Sequence, residues 1–239
     1  MLSYKRILFT GSNGRFGKVF KKTHASKEYN YPTSKELNIT DIKSVEHYFK
    51  KNKVDLIIHC AALSRPMDIH NKNISKSITI NIIGTCNLVK ICEKYKIKLI
   101  YFSTSYVYPG SKGNYSEKSN LKPINNYAWS KLGGESAMNM YRNSLILRVS
   151  MTEKPFVHKK AFKNVITNFM YHDDVIKILP KILNLKGILN LGGEIKSVYD
   201  FVKKDNKEIK GSIAKKNEIP FNSKMSIRKL KNLMKINKI

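Results

Sequence analysis

The chain has 239 residues, 41% of them hydrophobic, enough to bury a full core in one large domain or a domain with a small appendage. Its net charge of +28 comes from 45 Lys and Arg against 17 Asp and Glu, mostly lysines scattered along the whole length. That pattern argues for a solvated basic surface that attracts anionic small molecules, and against a specific nucleic-acid site, which would cluster arginine with aromatics. The opening MLSYKRILFTGSNG has no apolar run of signal-peptide length, and no window approaches the ~18 uninterrupted apolar residues of a membrane span. Cys60, Cys86 and Cys92 lack CxxC spacing, so neither a disulfide framework nor a zinc site is suggested, and a reduced, cytoplasmic setting with no membrane partner is expected.

In chain order, RILFT has the pattern of a buried strand and RFGKVFKK opens a helix, with Gly11, Gly14 and Gly17 at intervals of three in the turn between them. Gly11 permits a tight turn, Gly14 admits a pyrophosphate with no Cβ in the way, and Gly17 lets the helix pack closely on the strand. The phosphate charge would rest on the free N–H groups of the helix start. The stretch YPTSKE is expected at the end of the second strand, where the ribose is recognised. It offers Thr33, Ser34 and Lys35 before Glu36, which favours NADP(H) over NAD(H). DIKSVEHYFKKNK and ITINIIGTCNLVKICEKYK carry apolar residues at helical spacing, and VDLIIHCAA between them is a strand in which His59 is a hydrogen-bonded structural histidine.

KLIYFSTS is a strand that ends in the hydroxyls of Ser103 and Thr104, at the carboxyl edge where ligands lie on parallel sheets. Downstream, NNYAWSKLGGES places Tyr127 and Lys131 four residues apart, on one face of a helix. A phenol there can give its proton to a carbonyl oxygen, a nearby ammonium stabilises the phenolate, and Thr104 can hydrogen-bond the same oxygen. Tyr31/Lys35, Tyr108/Lys112 and Tyr199/Lys203 share the spacing. Prolines and glycine break the first two, and the third lies away from the expected cofactor edge.

After the strand LILRVS the pattern loosens, then recovers in DDVIKILPKIL, where Asp173 and Asp174 look like a helix cap, and in KGILNLGG and SVYDFVKK; PFNSKMSIRKLKNLM looks like a loop before a short basic helix. Strand alternating with helix implies an α/β fold with a doubly wound parallel sheet. Residues 1–149 are expected to form the nucleotide-binding Rossmann-like domain and 150–239 a small C-terminal substrate-binding part, with some of its segments returning to the first. No metal site is expected.

The ordered set TGSNGRFG, VDLIIHCAAL, NIIGTCNL, YFSTSYVYPG, YAWSK and LILRVS resembles the sugar-nucleotide branch of the extended short-chain dehydrogenase/reductases, whose turn is GxxGxxG, and within it the dTDP-4-dehydrorhamnose reductase-like proteins. SKELNITDIKSVEHYFKKNKVDLIIHCAA resembles that family's second strand, adenine-side loop, helix and following strand. The resemblance implies Thr104, Tyr127 and Lys131 as the catalytic trio. It implies that Gly11, Ser12, Asn13, Gly14, Arg15, Phe16 and Gly17 hold the pyrophosphate, that Asn38 and Ile39 flank adenine, and that Ala61, Ala62 and Leu63 line the ribose side. Asn81 would support the active-site lysine through its backbone. The family often has Asp where this chain has Ser105, and a longer insertion between Arg148 and Thr167.

The implied activity is NAD(P)H-dependent reduction of a nucleotide-linked 4-keto-6-deoxy sugar, by a chain compatible with a homodimer. The alternatives are an NAD-dependent nucleotide-sugar epimerase or dehydratase, and a cofactor-binding subunit without turnover.

Overall fold

The computed structural model describes residues 4–215 and 219–236. Its centre is a six-stranded, all-parallel sheet made of β1 (Ile7–Thr10), β2 (Tyr29–Asn30), β3 (Leu56–His59), β4 (Lys98–Thr104), β5 (Ser144–Val149) and β6 (Gly187–Leu191). The spatial order is β6-β5-β4-β3-β1-β2, so the winding direction reverses between β1 and β3. In such a sheet the crevice at the carboxyl ends of those two strands is where a ligand fits.

Strand alternation builds two cores. Ile7, Phe9, Leu56, Ile58, Ile100, Phe102, Leu145 and Leu147 face one way, against Phe16 and Phe20 of α1 (Arg15–Thr23). Leu8, Ile57, Leu99, Tyr101 and Ile146 face the other way, against α2 (Ile42–Lys51), α3 (Gly84–Tyr95) and α4 (Asn126–Met140), which contribute Val45, Leu88 and Met138. Two-sided burial explains why these strands are continuous apolar runs. The first face is completed by α5 (His172–Ile178), through Val175 and Ile176, and by α6 (Arg228–Ile236), through Leu230. No helix of the described residues is long and apolar enough to cross a membrane.

Three departures from the sequence reading affect the site. Ser34, Lys35 and Glu36 form a turn rather than a strand end, and β2 is the two-residue pair Tyr29–Asn30 that precedes it. Asp173 and Asp174 occupy the first turn of α5, with Tyr171 as its cap; there they complement the positive helix end without capping it. The helix leading into α3 begins at Ile74 and passes through a π-helical segment, Ile78–Ile83, before α3 proper.

Past Ser150 the chain forms short pairs: Met151–Thr152 with Met170–Tyr171, Lys160–Phe162 with Lys210–Ser212, and Ile166–Thr167 with Lys196–Ser197. A small core of Ala161, Val165, Val198, Val202, Ile209 and Ala214 lies among them. Within the same stretch, β6 returns to the central sheet beside β5.

Candidate active site

The β1–α1 turn is shaped by close approaches. Gly11 has φ +83°, and a Cβ on it would lie 2.6 Å from the Ala61 nitrogen at the end of β3; a Cβ on Gly17 would lie 2.2 Å from the Gly11 carbonyl oxygen. Gly14 caps α1 with no side-chain hydrogen bond, and the first turn carries no acid. The positive end of the helix is therefore left for an anion.

Beside this turn lies a cavity of about 600 Å³, within the range of small-molecule sites, lined by Gly11, Ser12, Asn13, Ser34, Asn38, Ile39 and Ala61 among the expected residues. Other expected residues turn their side chains elsewhere. Phe16 is in the core, its ring 5.1 Å from that of Phe102. Arg15 reaches across to Glu153, Nη1 to Oε1 2.7 Å. Thr33 donates from its nitrogen (2.7 Å) and hydroxyl (2.9 Å) to Glu36 Oε2, which folds that carboxylate onto its own turn, and Lys35 is exposed. Ala62 is half-buried in the β3 exit loop and does not line the cavity. The sequence reading missed Leu37, Thr40, Asn73, Lys76 and Thr79 on the wall. Of these only Asn73 left a signal: it caps the next helix, Oδ1 accepting from the Lys76 nitrogen at 2.8 Å.

Ser103 and Thr104 end β4 and, being adjacent, point to opposite faces. The Ser103 hydroxyl donates to Glu135, which is fully buried and paired with Arg148 at 2.8 Å, so it faces the interior rather than the cavity. Thr104 faces Tyr127, which sits in the first turn of α4; Asn125 caps that helix by accepting from the Ala128 nitrogen at 2.8 Å. Burial pushes the Tyr127 phenol up to about 12, while the Thr104 hydroxyl and the charge of Arg65 pull it back.

One helical turn on, Lys131 is buried with Nζ 4.1 Å from the centroid of the Tyr101 ring. Burial pushes its amine down to about 7, with Cys60 and Glu135 opposing the shift. Thr104, Tyr127 and Lys131 are thus brought to one edge, at the carboxyl end of β4.

Asn81, expected to act through its backbone, is bonded through its side chain as well. It lies in the π-helical segment, and its side chain ties the exit of β3 to α4: Oδ1 accepts from the Leu63 nitrogen (2.7 Å), and Nδ2 donates to the Leu63 carbonyl (2.9 Å) and to Ser130 Oγ (2.8 Å). Its own carbonyl accepts from Thr85. His59 is structural as expected, with Nδ1 2.8 Å from Thr10 Oγ1 and Nε2 3.1 Å from Thr85 Oγ1.

Comparison with known proteins agrees with this architecture. A dTDP-4-dehydrorhamnose reductase from Bacillus anthracis str. Ames, solved in complex with NADP, superposes with a TM-score of 0.85 at 25% identity, over 95% of this chain and 92% of that one. A dTDP-D-glucose 4,6-dehydratase of Dictyostelium discoideum is 34% identical over 66% of this chain and 37% of its own length. The methionine adenosyltransferase 2 subunit beta of Mus musculus is 30% identical over 56% of this chain and 42% of its own. The chain thus spans about two fifths of the length of these curated relatives. The model of the RmlD substrate binding domain matches residues 5–179, most of the chain, and the chain belongs to that family.

Proposed function

We propose that this chain is an NAD(P)H-dependent reductase acting on the keto group of a nucleotide-linked 4-keto-6-deoxy sugar. The observation that carries this reading is the convergence of Thr104, Tyr127 and Lys131 at the carboxyl end of β4, on the same edge of the parallel sheet as the glycine turn that follows β1. A dinucleotide fits: an uncapped helix start for the diphosphate, a cavity bounded by Asn38, Ile39 and Ala61 for the adenosine end, and Lys76 as a cation on its wall. Because Glu36 is turned onto Thr33 and does not line the cavity, while Ser34 does, the ribose end meets no carboxylate from that turn, which supports NADP(H) over NAD(H). The positive field of the chain favours capture of both anionic ligands.

When bound, the nicotinamide cofactor supplies hydride to the keto carbon. Tyr127 gives its phenolic proton to the oxygen that becomes an alcohol, and Thr104 hydrogen-bonds the same oxygen. Lys131, near 7 in the free protein, is poised to take its charged form once a phenolate develops nearby, which lowers the cost of the proton leaving Tyr127. NADPH depletion should be followed with a panel of dTDP-, GDP- and UDP-linked 4-keto-6-deoxy sugars. Turnover with one of them is expected, and Tyr127→Phe should lower kcat about 10²- to 10⁴-fold while leaving NADPH affinity unchanged. Full activity in that variant would remove Tyr127 from the chemistry.

A second reading, a cofactor-binding subunit without turnover, is favoured by Ser105 where a carboxylate is usual and by the similarity to methionine adenosyltransferase 2 subunit beta. NADPH binding with no oxidation across the panel would select it.

A further inference from the structure

His70 lies in the helical turn Ile69–Lys72 and is 1% exposed. Its Nδ1 is 2.6 Å from the hydroxyl of Ser77. Its Nε2 is buried and has no hydrogen-bond partner among the described residues. The imidazole packs on Tyr127, with ring centroids 5.1 Å apart and planes inclined by 56°. Asn126 docks this turn onto α4, its amide donating to the His70 carbonyl at 3.3 Å and to Asn71 Oδ1 at 2.9 Å. Tyr106 meets the Tyr127 ring edge-on from 6.4 Å. The phenol is thus held between two rings, one of which carries a nitrogen with no conventional partner.

Buried polar nitrogens without partners are rare because desolvation is left uncompensated. An aromatic face is an acceptor that accounts for one. Burial also keeps this imidazole neutral, since its pKa is lowered. We propose that the Ser77 hydroxyl donates to Nδ1, fixing the Nε2–H tautomer of His70, and that this N–H is directed at the ring face of Tyr127. His70 is then a positioning residue: it sets the plane of the phenol and stabilises the electron-rich phenolate left when the proton passes to the substrate oxygen. This role rests on the reading of Tyr127 as proton donor; the contact itself does not.

Long-range ¹H–¹⁵N NMR of the histidine side chains tests the contact, with His70 assigned by its loss in His70→Phe. A neutral, Nε2-protonated ring is expected, its Nε2 proton shifted upfield by the tyrosine ring current and released in Tyr127→Leu. An Nδ1-protonated ring, or an Nε2 proton indifferent to Tyr127→Leu, overturns the proposal. In the NADPH depletion assay, His70→Phe keeps a ring and drops both nitrogens, and should lower kcat about tenfold with KM and NADPH affinity unchanged. His70→Gln, which carries an N–H near the Nε2 position, should regain part of the loss. Unchanged kcat in His70→Phe, or equal losses in both variants, overturns the positioning role. A wild-type chain that reduces none of the sugars sinks the reductase reading, and the NMR result still decides the contact.

Discussion

Along β1, β3, β4 and β5, alternating apolar residues enter one core or the other, and helices close both faces. Past Ser150, the paired segments outside β6 are two or three residues long, and side-chain hydrogen bonds make the joints. Asn168 exchanges two bonds with the backbone of Met225 (3.0 and 3.1 Å), and Ser150 meets Thr167 through their hydroxyls at 2.8 Å. The first region is specified by pattern and therefore tolerates substitutions that keep the pattern. The second is specified residue by residue.

The sharpest test of this contrast lies in the first region, at a place where it too depends on a single atom. Gly17→Ala puts a Cβ 2.2 Å from the Gly11 carbonyl oxygen and 2.6 Å from the Ser12 Cα, both backbone atoms that cannot yield cheaply. The expected outcome is loss of NADPH binding by calorimetry and destabilisation of more than about 3 kcal/mol in thermal melts.

Next in size is the buried pair that ties β5 to α4 and, through Tyr108, to β6. Arg148 of β5 bonds Glu135 of α4, the Tyr108 hydroxyl (2.9 Å) and the Glu117 carbonyl (3.2 Å), and Tyr108 donates on to Asn190 of β6 at 2.8 Å. Arg148→Leu strands a fully buried carboxylate and should cost about 3–5 kcal/mol in urea unfolding, with Glu135→Gln recovering part of it in the double variant.

Asn168→Ala should cost about 1–3 kcal/mol, because the Met225 N–H and carbonyl lose their partners. Unchanged NADPH affinity in that variant would confine the damage to the second region, and a large loss of affinity would break the comparison.

The smallest effect concerns pH. The Lys131 amine falls from 10.5 to about 7 on folding, so the unfolded chain binds more protons between those values and the residue costs stability that grows as pH falls from about 10 to about 7, then levels off. Lys131→Met should therefore raise the melting temperature by a few degrees at pH 7 and by little near pH 10, at the expense of turnover.

The central sheet was legible because two-sided burial leaves apolar runs and because Gly11, Gly14 and Gly17 sit between a strand and a helix. Tyr127 was separable from Tyr31, Tyr108 and Tyr199 by its place after a hydroxyl-ended strand. What sequence could not convey was direction. Ser103 and Thr104 are neighbours with the same chemistry, yet one faces Glu135 and the other faces Tyr127. Phe16 and Arg15 belong to the turn by sequence, while their side chains serve the core and Glu153. The polar joints of the second region have no periodicity, since each is one side chain meeting one particular backbone group or hydroxyl. His70, in a four-residue helical turn, had no pattern to mark it.

The π-helical segment Ile78–Ile83 spends more chain per turn than the helices on either side. Lys76 and Thr79, on the cavity wall, and Leu88 and Ile91, in the core, therefore answer to different angular phases. Rewinding the segment into ordinary helix by removing one residue would rotate the wall by about 100° against a fixed interior. The extra chain per turn thus sets the angular offset at which the cavity wall and the buried stripe of this one continuous helix are presented.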